Sequence, residues 1–135
     1  MSRCALCDAD GGAVLWHDAL CRVVRAEVDG YPAFLRVVFS RHVAEMTDLE
    51  PTERDRVMQV VFGVERVLRE MYRPDKVNLA SFGNQVPHLH WHVIARFRDD
   101  PHFPESVWGA VQRKTASRPV VDDARLSARL EELLG

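Results

Sequence analysis

The residues with the most distinctive spacing in this sequence are three histidines, His88, His90 and His92, which alternate with apolar residues. Half of the chain's six histidines thus lie within five residues of one another. Alternation of polar with aromatic and β-branched residues predicts a strand over residues 87–97, on which the three imidazoles share one face. A single histidine on a strand is usually solvent-facing or a hydrogen-bonded core residue. Three titratable rings on one face repel one another when protonated and do not stabilise the fold, so we expect a chemical function.

The same spacing argues against the simplest metal site, in which one ion binds all three rings. Successive same-face Cα atoms of a strand are roughly 6.6 Å apart and the outer pair roughly 13 Å apart. Metal–nitrogen bonds are only about 2.0–2.1 Å long. We therefore expect the three histidines to have different tasks, namely anchoring, nucleophilic attack and contact with a charged substrate.

A second group of reactive side chains is the Cys-x-x-Cys pair Cys4 and Cys7. Redox pairs of this type normally lie where a strand meets a helix in a βαβ unit, and the sequence pattern predicts no such unit here. We therefore favour a zinc knuckle over about residues 1–10, which needs two further ligands from elsewhere in the chain. The alternative is a metal-free thiol pair in a reducing cytosol. Cys21 lies in an apolar run and is expected to be a buried small hydrophobic residue.

The composition indicates a single globular domain over residues 1–135, because 47% of the residues are hydrophobic. Acidic and basic residues are interspersed with a net charge of −2, which argues against binding a nucleic-acid polymer or an anionic membrane. The sequence starts with no signal-peptide pattern, and no run approaches the roughly 20 apolar residues of a transmembrane helix. We therefore expect a cytoplasmic protein.

The periodicity of apolar residues predicts an α+β domain. Strands are predicted over residues 13–17, 20–26, 35–39, 76–80 and 87–97, which gives an antiparallel sheet of about five strands. One long helix is predicted from Glu50–Glu53 to about Tyr72, covering one face of the sheet. Asp122 is predicted to cap a C-terminal helix, in which Leu126, Leu130, Leu133 and Leu134 form a stripe that closes the core or contacts a partner.

The run His88-Leu89-His90-Trp91-His92-Val93-Ile94 resembles the His-φ-His-φ-His-φ-φ signature of the histidine triad (HIT) superfamily of nucleotide hydrolases and transferases. The flanking segments 79–84 and 100–104 are similar to a bacterial branch of that superfamily, and the similarity extends over residues 4–108. Many members have Pro at the position of Ala95. The resemblance implies a HIT-like fold and a homodimer. It also implies cleavage at the α-phosphate of a dinucleoside polyphosphate or nucleoside phosphoramidate, without a catalytic cofactor.

The resemblance also implies roles for individual residues. It makes His90 the nucleophile that carries a nucleotidyl intermediate, and His92 the contact to the α-phosphate or the leaving-group oxygen. It further implies a structural zinc ion with the ligands Cys4, Cys7, His42 and His88.

Substrate contacts are implied less sharply. Asn78 and Asn84 match amide positions that face the phosphates, with plain turn formation as the alternative. A carboxylate ahead of the third strand would bind the ribose, and Glu27 and Asp29 both fit that description, as does ordinary loop solvation. The aromatic segment around Trp108 would shape the substrate pocket of its own or a partner protomer.

Two classes of function remain open at this point. The first is an enzyme that acts on nucleotides, and the second is a nucleotide-binding regulatory or adaptor protein with incidental turnover. The complete triad favours the enzyme, because a binding protein has no need of a nucleophile at His90.

Overall fold

The computed structural model describes residues 3–114 and 117–135, so residues 1 and 2 of the predicted knuckle segment lie outside the described residues. Its elements are α1 (Ala5–Asp8), β1 (Ala13–His17), β2 (Cys21–Arg25), β3 (Phe34–Phe39), a 3-10 turn (Met46–Asp48), α2 (Pro51–Tyr72), β4 (Lys76–Ala80), β5 (His90–Arg96) and α3 (Asp123–Leu134). The strands form one antiparallel sheet in the order β1-β2-β3-β5-β4. The predicted α+β class is confirmed.

The hairpin between β1 and β2 forms because Asp18 accepts hydrogen bonds from the backbone N–H groups of the turn. Its carboxylate accepts hydrogen bonds from the backbone N–H groups of Leu20 and Cys21 at 2.8 and 2.9 Å. The Cys21 side chain then enters the core and is fully buried, as predicted.

The histidine strand β5 is shorter than predicted, because it begins at His90. Just before it, the Leu89 N–H donates to the carbonyl of Val43 at 2.7 Å, so the chain there follows the segment after β3. The prediction that His88 lies on the same strand is therefore wrong. His90 and His92 do lie on β5, two residues apart, and share one face of the sheet.

At its other end β5 extends to Arg96. The N–H of Ala95 donates to the carbonyl of Ala33 at 3.0 Å. A proline at this position would lack that donor, so Ala95 allows the backbone hydrogen bonding to continue to the end of the strand.

The long helix α2 forms where predicted, because its ends are capped and one of its sides is apolar. Pro51 takes the first helical position, and Glu50 and Glu53 each accept a hydrogen bond from the other's backbone N–H. Arg73, in the left-handed conformation with φ 48°, ends the helix ahead of Pro74. The buried residues of the apolar side are Val57, Val60, Val61, Val64, Val67 and Leu68.

The two faces of the sheet are covered differently. One face packs against α2 and α3 and builds the main core, in which Leu35 and Val93 are fully buried. On the other face, the described residues form two smaller apolar clusters, one around Leu6 and the other around Phe34. The histidines of β5 belong to this less covered face, where a cleft is left between the clusters.

The C-terminal helix α3 completes the main core. The Asp122 carboxylate accepts a hydrogen bond from the Arg125 N–H at 3.0 Å, which is the predicted cap. Leu126 and Leu130 are fully buried, so the leucine stripe closes the core. Among the described residues, no helix has the length and apolar character needed to cross a membrane.

Candidate active site and metal cluster

His90 and His92 line a cleft of about 630 Å³ on the less covered face of the sheet. Their ring centres are 5.0 Å apart with an interplanar angle of 85°, and the two residues are only 9% and 7% exposed. A cleft of this size, with a few polar groups that converge on it, is typical of a small-molecule site.

The ring of His90 is held in one tautomer. Its Nδ1 lies 2.6 Å from the carbonyl oxygen of His88, and a carbonyl only accepts, so Nδ1 carries the proton. The carbonyl of His90 in turn accepts a hydrogen bond from the Ser81 hydroxyl at 2.7 Å. In the neutral ring Nε2 is therefore unprotonated, which is the form that a nucleophilic histidine requires.

The ring of His92 is neutral at physiological pH. Burial, together with the neighbouring His90 and Arg36, lowers its pKa to about 4. Its Nδ1 is buried and has no hydrogen-bond partner among the described residues. Trp108 and Phe34 contact the ring edge-on, with centres 5.0 and 5.6 Å away. His92 thus presents a buried polar atom that a bound ligand could satisfy.

Exposed aromatic rings and an amide form the rim of the cleft. Phe82 and Trp108 are 60% and 53% exposed, and their ring centres are 5.1 Å apart. Gly83, with φ 72°, turns the chain next to Phe82, and Asn84 follows it on the cleft lining. The predicted amide at Asn84 is therefore brought to the same cleft as the two histidines.

The four predicted metal ligands, Cys4, Cys7, His42 and His88, lie together, with all ligand atoms within 4.8 Å of one another. The Cys7 Sγ lies 3.3 Å from the His42 Nδ1, and the two Nδ1 atoms are 3.3 Å apart. The His88 Nδ1 is 3.4 Å from each sulfur. A zinc tetrahedron with bonds of about 2.3 Å to sulfur and 2.0–2.1 Å to nitrogen has edges of roughly 3.3–3.8 Å. Four of the six separations between the ligand atoms therefore match a tetrahedral metal ion, and the other two are within 4.8 Å.

His88 joins the metal cluster to the nucleophile. Its Nε2 donates to the Phe39 carbonyl at 2.6 Å, which leaves Nδ1 free to bind a metal. Its own carbonyl accepts the Nδ1 proton of His90. His88 therefore connects the metal cluster to the carbonyl that fixes the tautomer of His90.

Three of the predicted substrate contacts lie outside the cleft. The side-chain oxygen of Asn78 accepts a hydrogen bond from Arg96 Nη1 at 2.8 Å. Glu27 and Asp29 are exposed and line a separate groove of about 450 Å³. The structure therefore brings Asn84, and none of these three residues, to the histidines.

Sequence analysis missed one residue of the cleft, Arg36 of β3. It lies directly opposite His92 in the pairing of β3 with β5 and lines the same cleft. The available signal was a lone charged residue in the apolar run 34–39. Such a residue on a strand next to the histidine strand must lie either at the histidines or in the core.

A buried ion pair between Arg96 and Asp100 holds the loop that follows β5. Both side chains are 2% exposed, and their N–O distances are 2.7 and 3.0 Å. Arg96 also donates to the carbonyl of Glu105 at 2.8 Å. Burial alone raises the pKa of Asp100, but hydrogen bonds from Arg96 and backbone N–H groups lower it well below its ordinary value. This network positions the loop that carries Trp108 to His92.

A larger groove, of about 830 Å³, runs along α2 and α3. It is lined by charged side chains such as Arg66 and Glu70 together with Phe62, and no histidine or cysteine contributes to it. The histidine cleft is the better candidate, because reactive groups with constrained protonation states converge there.

Known proteins of similar sequence and fold carry the same arrangement of elements. The family model described as HIT domain matches residues 11–99. No curated protein matches this chain. Among solved structures, a histidine triad protein from Bradyrhizobium japonicum is 28% identical with a TM-score of 0.75, over 99% of this chain and 98% of its own.

Two further histidine triad proteins are similar to a comparable degree. The one from Sinorhizobium meliloti is 28% identical with a TM-score of 0.73, over 93% of this chain and 91% of its own. The one from Marinobacter aquaeolei is 27% identical with a TM-score of 0.71, over 93% of this chain and 90% of its own. Since the family model spans well over half of the chain and includes His90 and His92, this protein belongs to the HIT domain family.

Proposed function

We propose that this chain is a nucleotide hydrolase or transferase. It acts at the α-phosphate of a dinucleoside polyphosphate or nucleoside phosphoramidate and releases a nucleoside monophosphate. The observation that carries the proposal is the 2.6 Å contact between the Nδ1 of His90 and the carbonyl of His88, which leaves Nε2 free to attack. Family membership supports the same class of reaction.

The reaction proceeds in two displacements. The Nε2 of His90 bonds to the α-phosphorus while the bond from phosphorus to the leaving group breaks, and the leaving group keeps the electron pair. Water then attacks the same phosphorus and loses a proton to the solvent, the phosphorus–nitrogen bond breaks, and Nε2 keeps the electron pair, so the neutral imidazole returns. If another nucleophile replaces water, the same intermediate supports transfer.

Charge in the transition state is stabilised by groups already in the cleft. His92 lies beside the nucleophile, and its buried Nδ1 gains a partner if it meets a phosphate oxygen. Asn84 lines the same space and offers amide donors. Fixed neutral donors of this kind stabilise developing negative charge, so the proposed reaction needs no catalytic cofactor.

We further propose that the cluster of two cysteines and two histidines binds one structural zinc ion. A set of four protein ligands is closed and leaves no position for water, which is typical of structural rather than catalytic zinc. When bound, the ion would pin the N-terminal segment with Cys4 to His88 and so support the nucleophile. Zinc thiolates fit the reducing cytoplasm, where we place this protein.

The proposed assembly is a symmetric homodimer. β4 is an edge strand of the sheet, and unpaired strand edges favour association with a second sheet. Trp108, which is 53% exposed, is available to either protomer's cleft. Light scattering at micromolar concentration should give the mass of a dimer, and a monomer mass would contradict this. Ribose binding by Glu27 or Asp29, and a phosphate contact from Asn78, stay predictions.

Trapping of the intermediate tests the proposed function against the alternative of a nucleotide-binding regulatory or adaptor protein. Metal-loaded protein is mixed with a panel of labelled nucleotides and quenched rapidly. We expect an acid-labile phosphoramidate on His90. His90→Ala should abolish turnover while nucleotide affinity stays within about tenfold, because the lost bond forms only in the reaction. Added imidazole should restore part of the turnover of His90→Gly.

The matched control is His17→Ala, since His17 is an exposed histidine on β1 outside the cleft. Its turnover should equal that of the wild type. Label on a residue other than His90, or near-normal turnover by His90→Ala, would refute the assignment. Tight binding without turnover of any nucleotide in the panel would favour the regulatory protein.

A further inference from the structure

Arg36 has an unusual place for a charged side chain. It lies in the middle of β3, between Leu35 and Val37, which are 0% and 1% exposed. The Arg36 side chain points to the histidine face and lines the cleft, with its guanidinium carbon 5.7 Å from the ring centre of Phe34. Its only hydrogen bond in the described part of the chain is a long one, 3.4 Å from Nη1 to the carbonyl of Gly11.

Within residues 3–114 and 117–135, no carboxylate balances the charge of Arg36. Among the described residues, no carboxylate forms an ion pair with it and none lines the cleft. Its Nε is buried without a hydrogen-bond partner. Burial also lowers the pKa of the guanidinium. A partly desolvated and unpaired cation is unfavourable by itself, and a bound anion would offset that cost.

The position of Arg36 relative to His90 indicates which part of the substrate would supply this anion. In the strand pairing, Val38 lies opposite His90 and Arg36 lies opposite His92, so Arg36 is displaced by two residues from the nucleophile. Two strand residues span roughly 6.6 Å. A phosphorus atom that is ready for attack lies about 3–3.5 Å from the His90 Nε2. The leaving group, on the far side of the breaking bond, then occupies the rest of the span between His90 and Arg36.

Building on the function proposed above, we propose that Arg36 binds the negative charge of the leaving group and makes this protein prefer phosphoanhydride substrates to phosphoramidates. When the bond from the α-phosphorus to the bridging oxygen of an anhydride breaks, the oxygen keeps the electron pair. The departing phosphate thus gains one negative charge, which a permanently protonated guanidinium stabilises without proton transfer. An amine that leaves from a phosphoramidate takes up a proton from solvent water and carries no negative charge, so Arg36 contributes nothing to its departure.

The test compares two adenosine substrates, diadenosine tetraphosphate and adenosine 5′-phosphoramidate, with metal-loaded wild type, Arg36→Gln and Arg36→Lys. For Arg36→Gln we expect kcat/KM to fall about 100-fold on the tetraphosphate, as for loss of one charge-stabilising donor, and less than about threefold on the phosphoramidate. Arg36→Lys keeps the charge and should retain most of the preference for the tetraphosphate over the phosphoramidate. Arg98→Gln is the matched control, because Arg98 is an exposed arginine just after β5 that does not line the cleft. It should change neither rate.

Equal losses on both substrates, or no loss on either, would overturn the leaving-group role while the proposed function stands. If the wild type turns over neither substrate, the proposed function fails and the role of Arg36 is decided by binding instead. Affinities of both compounds are then measured for His90→Ala with and without Arg36→Gln. Adding Arg36→Gln should weaken the binding of the tetraphosphate at least about tenfold and the binding of the phosphoramidate less than about threefold. Equal weakening of both affinities, or none, would overturn the inference.

Discussion

Removal of the Asp100 carboxylate is expected to destabilise the protein strongly. Besides its ion pair with Arg96, Asp100 accepts hydrogen bonds from the N–H groups of Phe97, His102 and Phe103 at 3.1, 3.1 and 2.8 Å. Asp100→Ala leaves the Arg96 guanidinium buried without its anion. Loss of one partner of a buried ion pair costs about 3–5 kcal/mol. The total free energy of unfolding of a stable domain is only about 5–15 kcal/mol.

That cost corresponds to a large change in melting temperature. A chain of 135 residues has an unfolding entropy of roughly 0.28 kcal/mol/K. Asp100→Ala should therefore lower Tm by roughly 10–18 °C in calorimetry at pH 7. The matched control is Asp99→Ala, which removes an exposed partner of Arg118 and should lower Tm by less than about 4 °C. Equal shifts for the two variants would refute the account of the buried pair.

The same carboxylate makes a pH-dependent contribution to stability. The pKa of Asp100 in the folded protein lies below its value of about 3.9 in the unfolded chain. Its contribution is therefore complete above about pH 4 and is lost as the pH falls below that value. Wild-type stability should decrease more steeply than that of Asp100→Asn as the pH is lowered from about 5 to 2, measured by urea unfolding.

Two further predictions concern the metal cluster and the second histidine. Cys4→Ala should abolish the binding of about one zinc ion per chain in elemental analysis. Its effect on stability, measured as Tm, should be larger than its effect on the rate of the chemical step. Wild-type protein that contains no metal would refute the zinc site. The pKa of His92 is about 4 in the folded protein and about 6.5 when unfolded, so stability should fall as the pH is lowered from 6.5 to 4. Urea unfolding should show a smaller fall for His92→Asn, and an unchanged fall would contradict the lowered pKa.

Local patterns in the sequence predicted most of the framework. The apolar spacing and capping residues of α2 are contained within a few turns of the chain, so the helix was predictable from residues 50–74 alone. Asp122 and the leucine stripe predicted α3 in the same way. The four metal ligands could be named only through the resemblance to a known family, because Cys7 and His88 are 81 residues apart.

Other features depended on contacts between distant segments. β5 begins at His90 rather than at residue 87, because the Leu89 N–H donates to Val43 outside the sheet and only the Leu89 carbonyl bonds to β3, at Phe39, which alternation of residue types does not encode. Asn78 has the right residue type for a phosphate contact, and the hydrogen bond that its side-chain oxygen accepts from Arg96 on the neighbouring strand is not encoded in residue types. Arg36 reads as an isolated charge in the sequence, and only the pairing of β3 with β5 places it opposite His92. The sequence by itself therefore determined the reactive residues and the elements that carry them. Tertiary structure decided which of these residues meet, because strand pairing and hydrogen-bond competition are settled between segments far apart in the chain.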